Sequence, residues 1–184
     1  MKFSIASYSF HRELAAGRQD MFKYIQDSRD MGMAQLDPWN GHLGVIGKED
    51  EAINAESNPE KAKYSAQANK YVKKVKAAAD EAGLPFGCLA VDGAHIYEDS
   101  PEKRRANQAM AYRWLDIAAK FDAKQLRIDA GGPKEMPDDV FEIIVEGYND
   151  LIARAHDKGI EILFENHWGP TRTPSGPTVV SFSA

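Results

Sequence analysis

The stretch Lys124-Gln125-Leu126-Arg127-Ile128-Asp129 decides the fold, together with a later counterpart, Ile160-Glu161-Ile162-Leu163-Phe164-Glu165. Side chains along a strand alternate between its two faces. Leu126 and Ile128 therefore share one face, with Gln125, Arg127 and Asp129 on the other; likewise Ile162 and Phe164 oppose Glu161, Leu163 and Glu165. A doubly wound sheet is covered by helices on both sides, so its strands read as nearly continuous apolar runs. One apolar face and one partly polar face suit a barrel whose interior rises into a polar mouth. An open doubly wound sheet is the alternative.

Outward from these two stretches the same unit recurs: strand, polar loop, amphipathic helix, glycine. Strands are expected at Lys2–Ser7, Met33–Asp37, Phe86–Asp92, Lys124–Asp129 and Ile160–Glu165, with helices at 20–31, 60–82, 101–121 and 137–158. Ser100 before Pro101 is an N-cap with proline at the first helical position, where a missing N–H costs nothing. Pro137 with Asp138 and Asp139 repeats the device and puts carboxylates at the positive end of the helix dipole. Met110, Trp114, Ile117, Ala118 and Phe121 form one apolar stripe, and Val140, Ile144, Tyr148, Leu151, Ile152 and Ala155 another. Gly32, Gly83 and Gly159 close three helices. Strands alternating with helices of this length imply parallel pairing and right-handed crossovers. The expected fold class is α/β, a (βα)8 TIM-barrel type, incomplete, with five parallel strands and flanking helices.

Length sharpens this. Five strands are used by Glu165 in a chain of 184 residues, whereas eight units of about 33 residues need roughly 260. The run 173–184 carries no charge and no amphipathic pattern where a fifth helix belongs. The expected organisation is a partial barrel over 1–174, with 175–184 an aberrant or truncated tail. Thr178–Phe182 is the segment available to cover one open sheet edge as an extra strand. An uncovered edge is expected to bring self-association, a homo-oligomer being one form, or poor solubility.

Charge and composition exclude other classes. Asp and Glu total 28 against 23 Lys and Arg, a net charge of −5, so there is no basic excess for nucleic acid. Lys61, Lys63, Lys70, Lys73, Lys74 and Lys76 lie opposite the apolar positions Ala68, Tyr71, Val72, Val75, Ala79 and Ala82 of one helix, a solvated face. No apolar run approaches the ~20 residues of a membrane span, and the opening residues lack a signal-peptide core. The single cysteine, Cys88, makes no intramolecular disulfide and reads as a small apolar strand residue. The cytoplasm is the expected location.

Ligands of parallel α/β folds bind at the carboxyl ends of the strands. Four of the five expected strands end there in Asp37, Asp92, Asp129 or Glu165, and three add a histidine close by: His42, His95 and His167. Carboxylates with a few imidazoles suit a divalent ion such as Mn, Mg, Co or Zn, or acid–base work on a polyhydroxy substrate. His11 follows the first strand's mouth, open between substrate contact and packing; His156 ends a helix at the solvent. Gly131-Gly132-Pro133 is read as a turn, with an anion at the following helix N-terminus as the alternative.

Three stretches carry a family resemblance: Leu163-Phe164-Glu165-Asn166-His167-Trp168-Gly169-Pro170, Leu126–Gly132, and the opening Phe3–Phe10. They resemble the xylose isomerase-like barrel superfamily, particularly its sugar or sugar-phosphate isomerases and epimerases. The resemblance implies a divalent metal at the mouth, with Glu165 as metal ligand and catalytic proton carrier. It places Asn166 and His167 beside metal or substrate, and Trp39, His42, His95 and Asp129 along the site of a small sugar. The implied reaction passes a proton through an enediolate that the metal stabilises, although some members move a hydride. The family's other three metal ligands have no counterpart here, so the 184-residue chain alone is expected to be inactive. The alternatives are an endonuclease IV-like phosphodiesterase, or a non-catalytic carbohydrate-binding module.

Overall fold

Five segments of the chain lie side by side in sequence order. The structure, a computed structural model, describes residues 2–53, 63–133 and 135–165. At the centre are β1 (Cys88–Val91), β2 (Gln125–Ile128) and β3 (Glu161–Leu163), all parallel, in the order β1-β2-β3. Leu89, Leu126 and Ile162 stand in register across them. The two earlier segments extend the arc through isolated parallel bridges, Ala6 to Asp37, Leu36 to Phe86 and Trp39 to Ala90. The fold is α/β, a partial barrel.

The first two expected strands are thus shorter than their apolar runs suggest. Ala34 N–H donates to Phe3 O (2.7 Å), Ser7 N–H to Asp37 O (3.0 Å), Leu36 N–H to Pro85 O (2.9 Å) and Ala90 N–H to Pro38 O (2.8 Å). Pro38 accepts from Ala90 but has no N–H to donate, so no continuous ladder forms between the second segment and β1.

Around the arc run α1 (His11–Ala15), α2 (Met21–Asp30), α3 (Gly44–Ile53), α4 (Ala66–Ala82), α5 (Pro101–Lys120) and α6 (Asp138–His156). The caps act as their residue types dictate. Asp20 accepts from Lys23 N–H (2.8 Å), Ser65 from Ala68 N–H (3.1 Å) and Ser100 from Lys103 N–H (3.4 Å). Pro137 differs from expectation: it is the extended residue before α6, which begins at Asp138. The expected helix at 60–82 starts at Ala66 within the described residues, since Ser65 caps it. The helix α3 was not expected; Gly44 and Gly47 dilute its helical signal.

Leu89, Val91, Leu126 and Ile128 point toward the helices and meet Val72, Val75, Trp114, Ile117 and Phe121 in one core. Phe86 stacks on Phe121 with centroids 4.5 Å apart. Each such fully buried side chain contributes about 1.5–3 kcal/mol. The opposite face of the arc carries Cys88, Gln125 and Arg127, all only partly buried, so the expected inner and outer alternation is present in β1 and β2. The 175–184 tail, the proposed edge strand at 178–182, and Asn166 and His167 lie outside the described residues. Among the described residues no helix is long and apolar enough to cross a membrane.

Candidate functional site

The site is built on Arg127, which leaves the inner face of β2 and meets carboxylates from three strand ends. Its Nη2 lies 2.8 Å from Asp92 Oδ1, and its Nη1 lies 2.7 Å from Asp129 Oδ1 and 3.4 Å from Glu165 Oε2. Burial works against the guanidinium charge, but the hydrogen bonds and charges of Asp129 and Asp92 outweigh it and hold Arg127 above the ordinary arginine value. Asp129 is 1% exposed, and its Oδ2 is buried with no hydrogen-bond partner among the described residues. Glu165 is half exposed. Three of the four strand-end carboxylates therefore come together.

Asp37 does not join them in this way. Its oxygens accept from the Ser4 hydroxyl, from Gln35 Nε2 (2.9 Å) and from Cys88 N–H (2.8 Å), so it ties the first three segments to one another. Gly87 makes this possible: a Cβ there would fall 2.4 Å from Asp37 Oδ1. Cys88 beside it is an inert strand residue, since burial, with Asp37's charge assisting, pushes its thiol up to about 11.

Trp39 forms the neighbouring wall. Its indole N–H donates to Asp92 Oδ2 (2.7 Å), its backbone N–H to Ser7 Oγ (2.8 Å), and Asn40 exchanges hydrogen bonds with the Asp92 backbone. The ring lies against Gly41, where a Cβ would come within 2.2 Å of the indole. Tyr8 meets Trp39 edge-on at 5.1 Å and stacks on His11 at 4.7 Å. His11 is thus part of an exposed aromatic wall.

The two other described histidines of the expected site have their own surroundings. His42 is buried behind Trp39, its ring 6.3 Å from the indole and 6.0 Å from Tyr24. Neither ring nitrogen has a hydrogen-bond partner among the described residues. Burial pushes the imidazole below its ordinary value, against a smaller opposing effect of Asp20. His95 lines a cavity of about 340 Å³ with Tyr97, Glu98, Asp99 and the Gly131-Gly132-Pro133 turn, its Nδ1 3.5 Å from Glu98 Oε1. That turn leads to no helix start, since α6 begins at Asp138. Two carboxylates in its cavity suit no anion.

Sequence reasoning missed Arg127, Tyr8 and Asn40 as site-building residues. Arg127 had a signal: its place two residues before Asp129 puts both on one strand face. Among the described residues no group of three or more His, Cys, Asp and Glu could hold a metal ion. A guanidinium occupies the centre of the carboxylates instead. The described residues do not by themselves fit a divalent cation.

A family model described as xylose isomerase-like TIM barrel matches residues 25–183. No curated protein is detectably similar in sequence. Many solved structures share the fold. The probable 3-DHS dehydratase of petrobactin synthesis from Bacillus anthracis matches with a TM-score of 0.61 and 14% identity, over 92% of this chain and 53% of that one. D-psicose 3-epimerase from Clostridium cellulolyticum H10 gives 0.60 and 17%, over 88% and 51%. The 3-keto-D-glucoside 4-epimerase from E. coli gives 0.57 and 14%, over 79% and 51%. The chain spans about half the length of these structures.

Proposed function

The chain belongs to the xylose isomerase-like TIM-barrel family, and from that premise we propose that its mouth serves proton transfer on a sugar, as in an isomerase or epimerase. One observation carries the reading: Asp92, Asp129 and Glu165 are gathered at the strand ends beside the Trp39–Tyr8 wall. Indole and phenol faces pack against the C–H side of a sugar, while carboxylates accept its hydroxyl hydrogens. Glu165, the most exposed of the three, takes the proton from the carbon beside the carbonyl; Asp92 and Asp129 hold hydroxyl groups. Arg127 positions Glu165 and Asp129, and Asp92 fixes Trp39.

The family resemblance implies a divalent metal that would stabilise the enediolate, with Glu165 as this chain's ligand. Because the described residues do not fit a metal by themselves, no step is assigned through one. An endonuclease IV-like phosphodiesterase fits less well, since its substrate is a polyanion and this mouth has an excess of carboxylate. The proposal keeps the protein in the cytoplasm.

Saturation-transfer NMR with D-fructose tests the reading. Transfer from the chain to the sugar is expected, and its loss in Trp39→Ala. Transfer unchanged in that variant would place binding elsewhere. Incubation with Mn, Co or Mg and ketoses in heavy water is expected to exchange the proton beside the carbonyl, and Glu165→Gln to abolish that exchange. Exchange unchanged in the variant would assign the proton to another group.

A further inference from the structure

We infer that the ligand at this mouth is an uncharged polyhydroxy molecule, and that phosphate- or carboxylate-bearing analogues are rejected. The inference rests on the sugar reading above and adds the charge class of the substrate. Its first support is the state of Arg127, the guanidinium at the centre of the site. Both its terminal nitrogens are already engaged, Nη2 by Asp92 and Nη1 by Asp129 and Glu165. A phosphate or carboxylate is gripped best by a guanidinium with two free parallel donors. Here that fork is spread across three carboxylates.

The second support is a hydrogen-bond vacancy of defined sign. Asp129 Oδ2 is buried and has no donor among the described residues. Leaving a buried acceptor unmade is costly, so a ligand that donates to it is favoured over one that does not. A hydroxyl supplies an O–H. A phosphate or carboxylate at neutral pH brings mainly acceptor oxygens, which meet Asp129 as like charge. Asp92 and Glu165, partly exposed around the same guanidinium, present further acceptors.

Among the described residues, the arginine beside Tyr97 does not change this balance. Arg104 lies over the Tyr97 ring (5.6 Å) and donates to Glu98 O (2.6 Å). The cavity beside His95 carries Glu98 and Asp99.

The test compares D-fructose, D-fructose 6-phosphate and D-gluconate as ligands of the 184-residue chain, by saturation-transfer NMR with competition, at low and at high salt. D-Fructose is expected to bind at least tenfold more tightly than either anion at low salt. The gap is expected to narrow at high salt, where screening weakens the repulsion, and to narrow again in Asp92→Asn, with the fold checked by circular dichroism. Tighter binding of the phosphate, or a gap indifferent to salt, would overturn the inference and leave the sugar reading intact. If none of the three binds, the sugar reading falls and the inference falls with it.

Discussion

Two triads in this molecule are made of the same parts and do different things. Arg113, Asp50 and Trp114 form one: Arg113 Nη2 lies 3.3 Å from Asp50 Oδ1, and the Trp114 indole donates to Asp50 Oδ2 at 3.1 Å. Arg127, Asp92 and Trp39 form the other, with distances of 2.8 Å and 2.7 Å. The first is sealed, its arginine 3% and its aspartate 6% exposed, and Tyr64 adds a third donor to Asp50 at 2.9 Å. Its side chains tie α3 to α5, and α3 follows directly on the short helical turn Asn40–Leu43 that carries His42. The second is open, with Asp92 41% exposed and its arginine shared with two further carboxylates. Balance and closure make a strut. An excess of acceptors at an opening makes a place for a ligand.

The strut should break hardest. Arg113→Met leaves Asp50 buried without its cation and is expected to cost about 3 kcal/mol in urea unfolding. Burial pushes the Asp50 carboxyl above its ordinary value, its donors only partly opposing this. The folded state thus holds that proton more tightly than the unfolded chain does. Asp50's contribution is therefore fully present below the ordinary value of 3.8 and is lost as pH rises through its raised value. Asp50→Asn should remove that slope, seen as the difference between wild-type and variant stability across the acid range.

Arg127→Met should cost less, about 2 kcal/mol, because water reaches Asp92 and Glu165 and only Asp129 is stranded in a buried position. A larger loss here than at Arg113 would reverse the comparison. Gly41→Ala should cost about 1 kcal/mol, as a methyl group displaces the Trp39 ring. Its signature is a shift in tryptophan emission and weaker sugar binding. Glu165→Gln should change stability by less than about 0.5 kcal/mol, since the side chain is half exposed.

The strut was invisible in the sequence and the mouth half visible, for a physical reason. Periodicity and caps are local, so α5 and α6 were legible to within a residue or two, as was the alternation that sends Leu126 and Ile128 to the core. The rule that strand ends form the mouth brought out Asp92, Asp129 and Glu165. It could not show that Asp37 spends its oxygens on Ser4, Gln35 and Cys88, or that His42 is buried behind Trp39. Those facts depend on which segments become neighbours. Asp50 and Arg113 are far apart in sequence and meet only because the tertiary fold brings α3 and α5 within side-chain reach. Arg127 read as one polar residue on a strand face until three strand ends surrounded it.

The two indole N–H groups report on the two triads directly. A nitrogen-15 spectrum of the chain, with the Trp39 and Trp114 signals assigned by single Trp→Phe variants, would be followed as D-fructose is added. The Trp39 signal is expected to move in a saturable manner, because its acceptor, Asp92, lies at the mouth. The Trp114 signal is expected to stay still, sealed on Asp50. Movement of Trp114 with Trp39 unchanged, or a titration that moves neither, would contradict the assignment of the Arg127 cluster as the ligand site.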